Sequence, residues 1–356
     1  MKKILSLLMA LLLLILGLVS CKGEPPVAPE ESERESETAT ETATESETQP
    51  PVGNYVEMIT YNIAYYEATA SNMTVYYENQ SLEDYTIARR AERLDSLVDY
   101  YMPDVLALQE VNCLWWPYII SGEDAIVKEY GYDWEGRLSA YGNQSGTEST
   151  KPTDLYNLLL WNKEKFEKIK SGVIRLTDQH KDANRDRMCT YAILKNRDTG
   201  VETLYASVHL CTQGTAETKE LNLAQARRMT TELGTLAEGR MIIVGGDFNA
   251  NSSSTSYAHM IGTAGFSDGR IRAEQRRTQL MGTARVWGKD KKWNSGLLPI
   301  DHIFYKGTTA VAEEWMVLTD TYDMQANIST DIKKVGINYD LSDHQGVYTR
   351  FREVVQ

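Results

Sequence analysis

Polar side chains follow apolar runs at six places along the chain, each where a strand is predicted to end. A single polar residue at such a place is often only a turn or a cap. Six clusters of the same kind indicate strand ends that converge on one pocket. The clusters are Thr60-Tyr61-Asn62-Ile63, Leu108-Gln109-Glu110-Val111, Val208-His209-Leu210, Gly245-Gly246-Asp247-Phe248-Asn249, Ile300-Asp301-His302 and Ser342-Asp343-His344.

The residue types in these clusters favour hydrolysis of a phosphate ester assisted by a hard metal ion. Glu110 and Asn62 offer oxygen ligands of the kind that Mg²⁺ prefers, and Mg²⁺ often binds substrate phosphate as well. The chain has no HExxH sequence and no quartet of Cys and His, so zinc is not expected. A Gly-x-Ser-x-Gly elbow and a Walker loop are also absent. His and Asn side chains would then stabilise the charge that develops on the phosphate.

Two packed sheets with helices on their outer faces are expected to position these clusters. Amphipathic spacing predicts helices over residues 85–101 and 218–236. A turn at Asn196-Arg197-Asp198-Thr199-Gly200 predicts a hairpin between strands over residues 188–194 and 202–210. Strands over residues 155–161 and 165–173 are also expected to pair with each other. Further strands are predicted over residues 56–62, 105–108, 241–245, 300–305, 311–317 and 346–351.

In this order, the clusters resemble those of the endonuclease/exonuclease/phosphatase superfamily, and the resemblance runs from Thr60 to His344. The superfamily includes DNase I-like nucleases, abasic-site endonucleases, bacterial sphingomyelinases and inositol polyphosphate 5-phosphatases. The resemblance implies a DNase I-like, four-layer α/β/β/α sandwich, in which two mainly antiparallel sheets pack between outer helices. It also implies that the chain is a metal-dependent phosphoesterase.

The resemblance implies a metal site made by three residues. Glu110 matches the principal ligand of Mg²⁺, for which Mn²⁺ or Ca²⁺ are possible substitutes. Asp343 is expected near the metal. Asn62 is expected beside the metal, where it orients the neighbouring carboxylates.

The resemblance also implies five catalytic residues. His209 is expected to contact phosphate or to help the leaving group, and Asn249 to bind a phosphate oxygen. Asp247 is expected to orient or deprotonate the attacking water. His344 is expected on the scissile phosphate, with Asp301 paired to it so that its tautomer is fixed. A carboxylate beside a His also favours the cationic form, which suits an anion site.

Two positions depart from the family pattern. Ser207-Val208 stands where Asn-Thr usually precedes the His, so the support of His209 differs in this chain. His302 stands where a Tyr commonly follows the Asp. It is either a packed strand residue or an added substrate contact.

The sequence leaves the substrate open. Arg187, Tyr156 and Asn157 are expected to bind substrate, because some family members place phosphate contacts there. Residues 270–292 contain eight Arg and Lys together with a Trp, which would suit a nucleic acid. The same segment could hold a phosphorylated headgroup or be a solvated loop. A nuclease or phosphodiesterase is the first hypothesis, and a phospholipid, inositol-phosphate or small-molecule phosphatase is the alternative. A surface binding module without catalysis is the third.

The beginning of the chain has the features of an export signal. Lys2 and Lys3 precede an apolar run over residues 4–19, which is short for a spanning helix and predicts a signal peptide over residues 1–20. Leu18-Val19-Ser20-Cys21 resembles a bacterial lipobox. Cys21 is therefore expected to carry lipid that anchors the protein to a membrane of the cell envelope, outside the cytoplasm.

Charge and composition divide the remainder of the chain. Residues 21–53 carry nine Glu against one Lys and one Arg, which predicts an extended acidic linker. Residues 54–356 are predicted to form the catalytic domain, as a monomer. The formal net charge of −13 excludes a globally cationic nucleic-acid binder. A single long apolar run excludes a polytopic membrane protein.

Three Cys follow Cys21, and their odd number prevents complete pairing. They are Cys113, Cys189 and Cys211. A disulfide between Cys189 and Cys211 is geometrically conceivable across the predicted hairpin, but we expect buried thiols.

Overall fold

The computed structural model describes residues 54–66, 85–136, 152–178, 186–278, 282–284, 298–318 and 341–355. The predicted signal peptide, Cys21 and the acidic linker lie outside these residues, so they stay predictions. Within the described ranges, no helix combines the length and the apolar character needed to cross a membrane.

Strands form two mixed sheets. The first sheet has the order β10-β12-β13-β1-β2-β4-β3, and the second has the order β5-β6-β7-β8-β11-β9, where the numbers follow the chain. Most neighbours are antiparallel, but β1 runs parallel to β2, and β7 runs parallel to β8. The strands are β1 (Tyr55–Asn62), β2 (Val105–Val111), β3 (Tyr132–Glu135), β4 (Tyr156–Asn162), β5 (Phe166–Arg175), β6 (Met188–Asn196), β7 (Glu202–His209), β8 (Met241–Asp247), β9 (Ser267–Asp268), β10 (Gln275–Arg276), β11 (Asp301–Lys306), β12 (Ala310–Val317) and β13 (Val347–Glu353).

Two long helices cover the sheets. The first begins after Thr86, whose hydroxyl accepts from the amide of Arg89. The second begins with a capping box made by Thr215 and Thr218, which satisfies backbone donors that would otherwise be unpaired. The helices are α1 (Ile87–Tyr101), α2 (Ile126–Glu129), α3 (Ala216–Ala237), α4 (Thr255–Ala258) and α5 (Gly269–Arg272), with π-helical turns at Pro117–Ser121 and His259–Thr263.

Three apolar layers separate these elements, and β1 shows how the strands supply them. Met58 points into the core between the two sheets, where it lies with Ile243 of the second sheet. Its neighbour Ile59 points to the opposite face, where it lies in one core with Leu94 of α1. A third core contains Leu204 of the second sheet and other residues beneath α3. This is the four-layer α/β/β/α sandwich that the sequence predicted.

The hairpin between β6 and β7 is confirmed, but the predicted pairing of residues 155–161 with 165–173 is wrong. β4 pairs with β2 and β3 in the first sheet, whereas β5 pairs with β6 in the second. Asn162 makes the corner between the sheets, since its Oδ1 accepts from the amide of Glu164 at 2.9 Å. A local turn of this kind has the same sequence pattern whether the chain folds back or changes sheets.

Cys189 and Cys211 are buried thiols, as expected. The Sγ of Cys211 lies 3.4 Å from the carbonyl oxygen of Thr218 in α3. Burial raises the pKa of the Cys189 thiol, so it behaves as an apolar side chain.

Candidate active site

The predicted site residues meet where strands of both sheets end. In the first sheet, Asn62 closes β1 and is in register with Gln109 of the parallel strand β2. In the second sheet, His209 closes β7 and is in register with Asp247 at the end of the parallel strand β8. Asp301 begins the antiparallel strand β11 directly opposite Asp247. Parallel strands bring their carboxyl ends to one edge, so both sheets contribute to one cluster.

Asp247 lies at the centre of this cluster and is buried. Its Oδ2 accepts from Nδ2 of Asn62 at 3.0 Å, and its Oδ1 accepts from the backbone amide of Asn249 at 2.8 Å. Nε2 of His209 lies 3.3 Å from the same Oδ2. Burial and the nearby Asp301 carboxylate raise the pKa of Asp247 to about 7. A carboxylate with such a pKa can accept a proton from water near neutral pH.

Asp301 holds the imidazole of His344, as the resemblance implied. Nδ1 of His344 lies 2.9 Å from Oδ2 of Asp301, and its Nε2 lies 3.8 Å from Oδ2 of Asp247. Burial alone would lower the pKa of His344, but the Asp301 and Asp247 carboxylates raise it well above its usual value. His344 is therefore cationic, with Nε2 directed at the centre of the cluster.

His209 differs from His344 in charge. Nη1 of Arg187 lies 3.0 Å from Nδ1 of His209, and a guanidinium can only donate. Nδ1 is therefore the unprotonated nitrogen, and the proton is on Nε2, which faces Asp247. Burial, Arg187 and His344 all lower the pKa of His209 well below its usual value. Arg187 lies in the site, as predicted, and it supports His209.

Glu110 and Asp343 form the carboxylate pair that fits a divalent cation. A β-bulge interrupts the pairing of β2 with β4 at this point, and Glu110 has a φ of 63°. Such a bulge redirects a side chain. Burial and the Asp343 carboxylate raise the pKa of Glu110, so the two acids repel each other. A hard cation held by Glu110 and Asp343 would remove that repulsion, and oxygen donors of this kind suit Mg²⁺.

Asn62 orients the carboxylates of Glu110 and Asp247. Both polar atoms of its side chain already make hydrogen bonds within the protein. Its Nδ2 donates to Oε1 of Glu110 at 3.3 Å as well as to Asp247, while its Oδ1 accepts from the amide of Ala64 at 3.1 Å. The segment that carries Asp343 and His344 contacts the same end of β1, since Oγ of Ser342 donates to the Asn62 carbonyl at 2.6 Å.

A second acidic group, Asp247 with Asp301 and His344, has ligand atoms within 4.8 Å of one another. One of its distances is the 2.9 Å hydrogen bond between Asp301 and His344, which a metal would have to replace. This group is a possible metal-binding group, and the predicted cation site at Glu110 and Asp343 stays a prediction.

Two of the predicted substrate-binding residues lie elsewhere, which corrects those assignments. Tyr156 is 1% exposed and packs on Trp116, in the core beneath α1. Asn157 is 3% exposed, and its Nδ2 donates to the carbonyl of Met188 in β6 at 2.8 Å. Residues of a strand alternate between faces, so Tyr156 lies in the core beneath α1, whereas the amide of Asn157 is directed at β6.

Arg90 of α1 is a site residue that the sequence analysis missed. It is fully buried, lies over the Trp115 ring, and donates to the carbonyl oxygens of Ile63, Ala64, Tyr66 and Leu341. These oxygens belong to the segment after Asn62 and to the segment before Asp343, so Arg90 holds both. The available signal was its spacing, because Arg90 precedes the buried Leu94 by four residues on the apolar helix face.

A buried polar network beneath the site shows what replaces the usual Asn at position 207. Nε2 of Gln109 lies 3.1 Å from Oγ of Ser207 in the second sheet and 3.1 Å from Oγ1 of Thr60 in β1. Gln109 precedes Glu110, and Ser207 lies two residues before His209. The network therefore links the two sheets directly below the residues that must face each other.

His302 is a packed strand residue. It is 2% exposed, its Nε2 lies 2.9 Å from the carbonyl of Ala250, and its ring lies against Phe304. Of the basic segment 270–292, the structure describes residues 270–278 and 282–284. Within that part, Arg277 is paired with Glu314 at 2.7 Å.

Comparison with known proteins agrees with this geometry. An endonuclease/exonuclease/phosphatase family protein from Bacteroides thetaiotaomicron has a TM-score of 0.61 and 20% identity, over 85% of this chain and 96% of that chain. A structure described as a mannosyl-6-phosphatase from the same organism has a TM-score of 0.59 and 20% identity, over 83% and 99%. The human Nocturnin catalytic domain has a TM-score of 0.57 and 18% identity, over 85% and 96%.

No curated protein matches the chain. The sequence pattern of the endonuclease/exonuclease/phosphatase family, in contrast, matches residues 59–344, which span every site residue described above. The chain therefore belongs to the endonuclease/exonuclease/phosphatase family, whose members are hydrolases that act on phosphoester bonds.

Proposed function

We propose that this protein hydrolyses phosphate esters by direct attack of water, with Mg²⁺ as cofactor. The observation that carries the proposal is the convergence of three side chains on Oδ2 of Asp247, with Nδ2 of Asn62 at 3.0 Å, Nε2 of His209 at 3.3 Å and Nε2 of His344 at 3.8 Å. The carboxylates around His344 favour its cationic form, and burial raises the pKa of Asp247. Asp247 can accept a proton from water while the imidazolium of His344 faces the same carboxylate. Such a pairing of base and fixed positive charge suits attack on a phosphate.

Each side chain has a distinct part in the proposed reaction. Asp247 orients water and takes its proton, while Asn62 and His209 hold the Asp247 carboxylate in place. His344 presents a positive charge to the phosphate oxygens, and Asp301 keeps that charge in place. Nδ2 of Asn249 donates to the carbonyl of Leu210 at 2.9 Å and to Oδ2 of Asp247 at 3.3 Å, so a phosphate oxygen bound by Asn249 would replace one of these two acceptors. Mg²⁺ held by Glu110 and Asp343 would neutralise phosphate charge.

A direct test is hydrolysis of bis-p-nitrophenyl phosphate and p-nitrophenyl phosphate with Mg²⁺, Mn²⁺, Ca²⁺ or EDTA. We expect turnover that EDTA abolishes and that Glu110→Ala and His344→Ala each reduce at least about a hundredfold. Lys170→Met on β5 is the control, since that side chain is exposed and outside the cluster. A folded wild-type protein that turns over neither compound with any of the three ions would favour the binding-module alternative.

The first substrate candidate is a phosphodiester such as DNA or RNA, which the basic residues of segment 270–292 would attract. The second is a small phosphate monoester or a phosphorylated lipid, and the structure described as a mannosyl-6-phosphatase favours the small monoester. Plasmid DNA, sphingomyelin and sugar or inositol phosphates should be compared side by side with Mg²⁺. Activity on nucleic acid would fall steeply as salt rises, whereas activity on a small monoester would fall much less.

We further propose that the enzyme is displayed on the cell envelope as a monomer, anchored by lipid on Cys21 at the end of the acidic linker. The lipobox-like sequence Leu18-Val19-Ser20-Cys21 supports this location. Labelling with radioactive palmitate in a bacterial host tests it, and Cys21→Ala should remove the label and release the protein from the membrane fraction. Equal labelling of wild type and variant would show that the anchor is elsewhere.

A further inference from the structure

A cavity of about 360 Å³ lies next to Asn249, between the segment after β7 and the segment after β8. This volume lies in the range of about 300–1,000 Å³ that is usual for small-molecule sites. Asn249 forms part of the wall, and its Nδ2 also donates to Oδ2 of Asp247 at 3.3 Å, so a phosphate held at the cluster around Asp247 would place its attached group at this cavity. The other polar walls are Gln213, Lys219, Asn251, Ser253, Ser254 and Thr255.

The cavity is built on a buried side chain, Asn222 of α3, which is 0% exposed. Nδ2 of Asn222 donates to the carbonyls of Cys211 at 2.6 Å and Phe248 at 2.9 Å, and so joins the segments after β7 and β8. Its Oδ1 accepts from Nε2 of Gln213 at 3.2 Å and from Oγ of Ser256 at 2.5 Å. The wall is therefore held in place before any ligand arrives, which lowers the entropy cost of binding.

The hydrogen bonds within the wall leave specific groups for a ligand. Oδ1 of Asn251 accepts from the amide of Ser253 at 3.0 Å and from its hydroxyl at 2.6 Å, so the Nδ2 donors of Asn251 remain for other partners. Oγ of Ser254 accepts from the amide of Tyr257 at 3.1 Å and keeps its own proton to donate. With Nε2 of Gln213 committed to Asn222, its Oε1 remains as an acceptor.

The chemistry of these walls selects among the proposed substrates. Among the described residues, the lining contains amides, hydroxyls, one ammonium group and one apolar side chain, that of Ile300. The alternating donors and acceptors of this lining match a group that carries several hydroxyls.

We infer that this cavity binds the polyhydroxylated part of a sugar or polyol phosphate whose phosphate lies at the cluster around Asp247. The inference rests on the proposed function and narrows its substrate to small phosphate monoesters. Lys219 places one positive charge at the cavity, which suits the overall negative charge of such a substrate.

Two substitutions that conserve size test the inference. Asn251→Asp keeps the oxygen that Ser253 uses but replaces the amide donors with an acceptor, and Thr255→Val removes one hydroxyl. For each variant, kcat/KM is measured with p-nitrophenyl phosphate and with a panel of glucose 6-phosphate, mannose 6-phosphate and inositol 1-phosphate. Both substrate types carry a phosphate, so a change in charge acts on both, and only the sugar or polyol contacts the cavity with hydroxyls.

We expect the ratio of kcat/KM for the best panel member to kcat/KM for p-nitrophenyl phosphate to fall at least about fivefold in Asn251→Asp. Thr255→Val should lower the same ratio, whereas Lys170→Met on β5 should leave it unchanged. Thermal unfolding within a few degrees of wild type would show that the variants fold.

The outcomes separate the inference from the proposed function. If wild type hydrolyses p-nitrophenyl phosphate but both cavity variants keep the wild-type ratio, the inference is wrong and the proposed function stands. The same holds if wild type cleaves plasmid DNA and no panel member. If wild type with Mg²⁺, Mn²⁺ or Ca²⁺ hydrolyses no phosphate ester at all, the proposed function is wrong and the inference fails with it.

Discussion

Asp301 and His344 are joined by a hydrogen bond that connects the two sheets at the centre of the cluster. Asp301 begins β11 in the second sheet, whereas His344 precedes β13 in the first, and Oδ2 and Nδ1 lie 2.9 Å apart. The backbone amide of Asp301 donates to Oγ1 of Thr283 at 3.0 Å, so the backbone that carries this carboxylate is held. The pair therefore fixes both the charge and the direction of the imidazole.

Asp301→Asn should impair the charge and direction of the His344 imidazole while the protein still folds. The variant keeps the shape of the side chain, but an amide cannot stabilise a cationic imidazole. We expect kcat on p-nitrophenyl phosphate to fall about 10²–10⁴-fold, with a much smaller change in KM. Steady-state kinetics measures kcat and KM, and circular dichroism shows whether the variant is folded. A kcat within threefold of wild type would contradict the assigned part of Asp301.

The same variant changes the titration of His344 in a stated direction. The Asp301 and Asp247 carboxylates raise the pKa of His344, so removal of the Asp301 charge should lower it. The imidazolium would then lose its proton at lower pH than in wild type. NMR titration of the His344 ring proton in metal-free protein measures this shift. His259, which lies 3.0 Å from the Thr230 hydroxyl and outside the cluster, is the internal control.

Arg187→Met should disturb His209 without changing the fold. Nη1 of Arg187 is the donor that keeps Nδ1 unprotonated, so its loss allows the proton to move from Nε2 to Nδ1. Asp247 would then lose a donor, and we expect kcat to fall about 10–100-fold. Nitrogen NMR of the imidazole reports the tautomer directly. Arg228→Met, which removes an exposed ion pair with Asp178, is the matched control and should change neither property.

Arg90→Met tests the guanidinium that holds the two segments around the metal site. The variant removes this donor from the carbonyl oxygens of Ile63, Tyr66 and Leu341, while that of Ala64 keeps the indole N–H of Trp115, and we expect a loss of about 3–5 kcal/mol in the free energy of unfolding. Arg89→Met, on the exposed side of the same helix, removes only a surface ion pair with Glu92 and should cost less than about 1 kcal/mol. Urea unfolding measures the free energy of unfolding of both variants, and equal losses in the two would contradict the prediction.

The sequence predicts the catalytic residues because each of them lies at or near an end of an apolar strand. Asp247, His209 and Glu110 are found in this way, and the structure brings them together. The sequence does not predict the part played by Arg90, because a cation on an apolar helix face normally reaches solvent at the edge of that face. Only the tertiary structure shows the four carbonyl oxygens around its guanidinium. Tyr156 is misplaced because its strand is buried on both faces, so strand position alone does not indicate exposure.

Ser207→Ala tests the network that links the sheets. The variant removes one of three acceptors of the buried Nε2 of Gln109, which keeps Thr60 and the Ala107 carbonyl, and we expect a loss of about 0.5–1.5 kcal/mol in the free energy of unfolding. Because Ser207 lies two residues before His209, kcat should fall while KM changes little. Ser171→Ala removes a hydroxyl that donates to Glu135 at a partly exposed position, and is the control. Additive losses in the double variant with Gln109→Met would show that the two residues do not interact.

The far end of β1 gives a prediction for stability against pH. Oε1 of Glu57 accepts from the hydroxyl of Tyr348 at 2.7 Å, and the Glu57 amide donates to Asp104 at 2.8 Å. Burial, followed by the Asp104 carboxylate, raises the pKa of Glu57 above its ordinary value of 4.5. A carboxyl whose pKa rises on folding destabilises the folded state where it is ionised. The penalty is absent below pH 4.5 and is complete above the raised pKa.

Glu57→Gln should therefore stabilise the protein at high pH and not at low pH. Glutamine resembles the protonated acid and still accepts from Tyr348, but it does not ionise. We expect the variant to have a higher free energy of unfolding than wild type at pH 8, with a difference that shrinks as pH falls to 4. Urea unfolding across this range measures it, with the exposed Glu164→Gln as control. A variant less stable than wild type at pH 8 would mean that the ionised carboxylate contributes more through Tyr348 than burial costs.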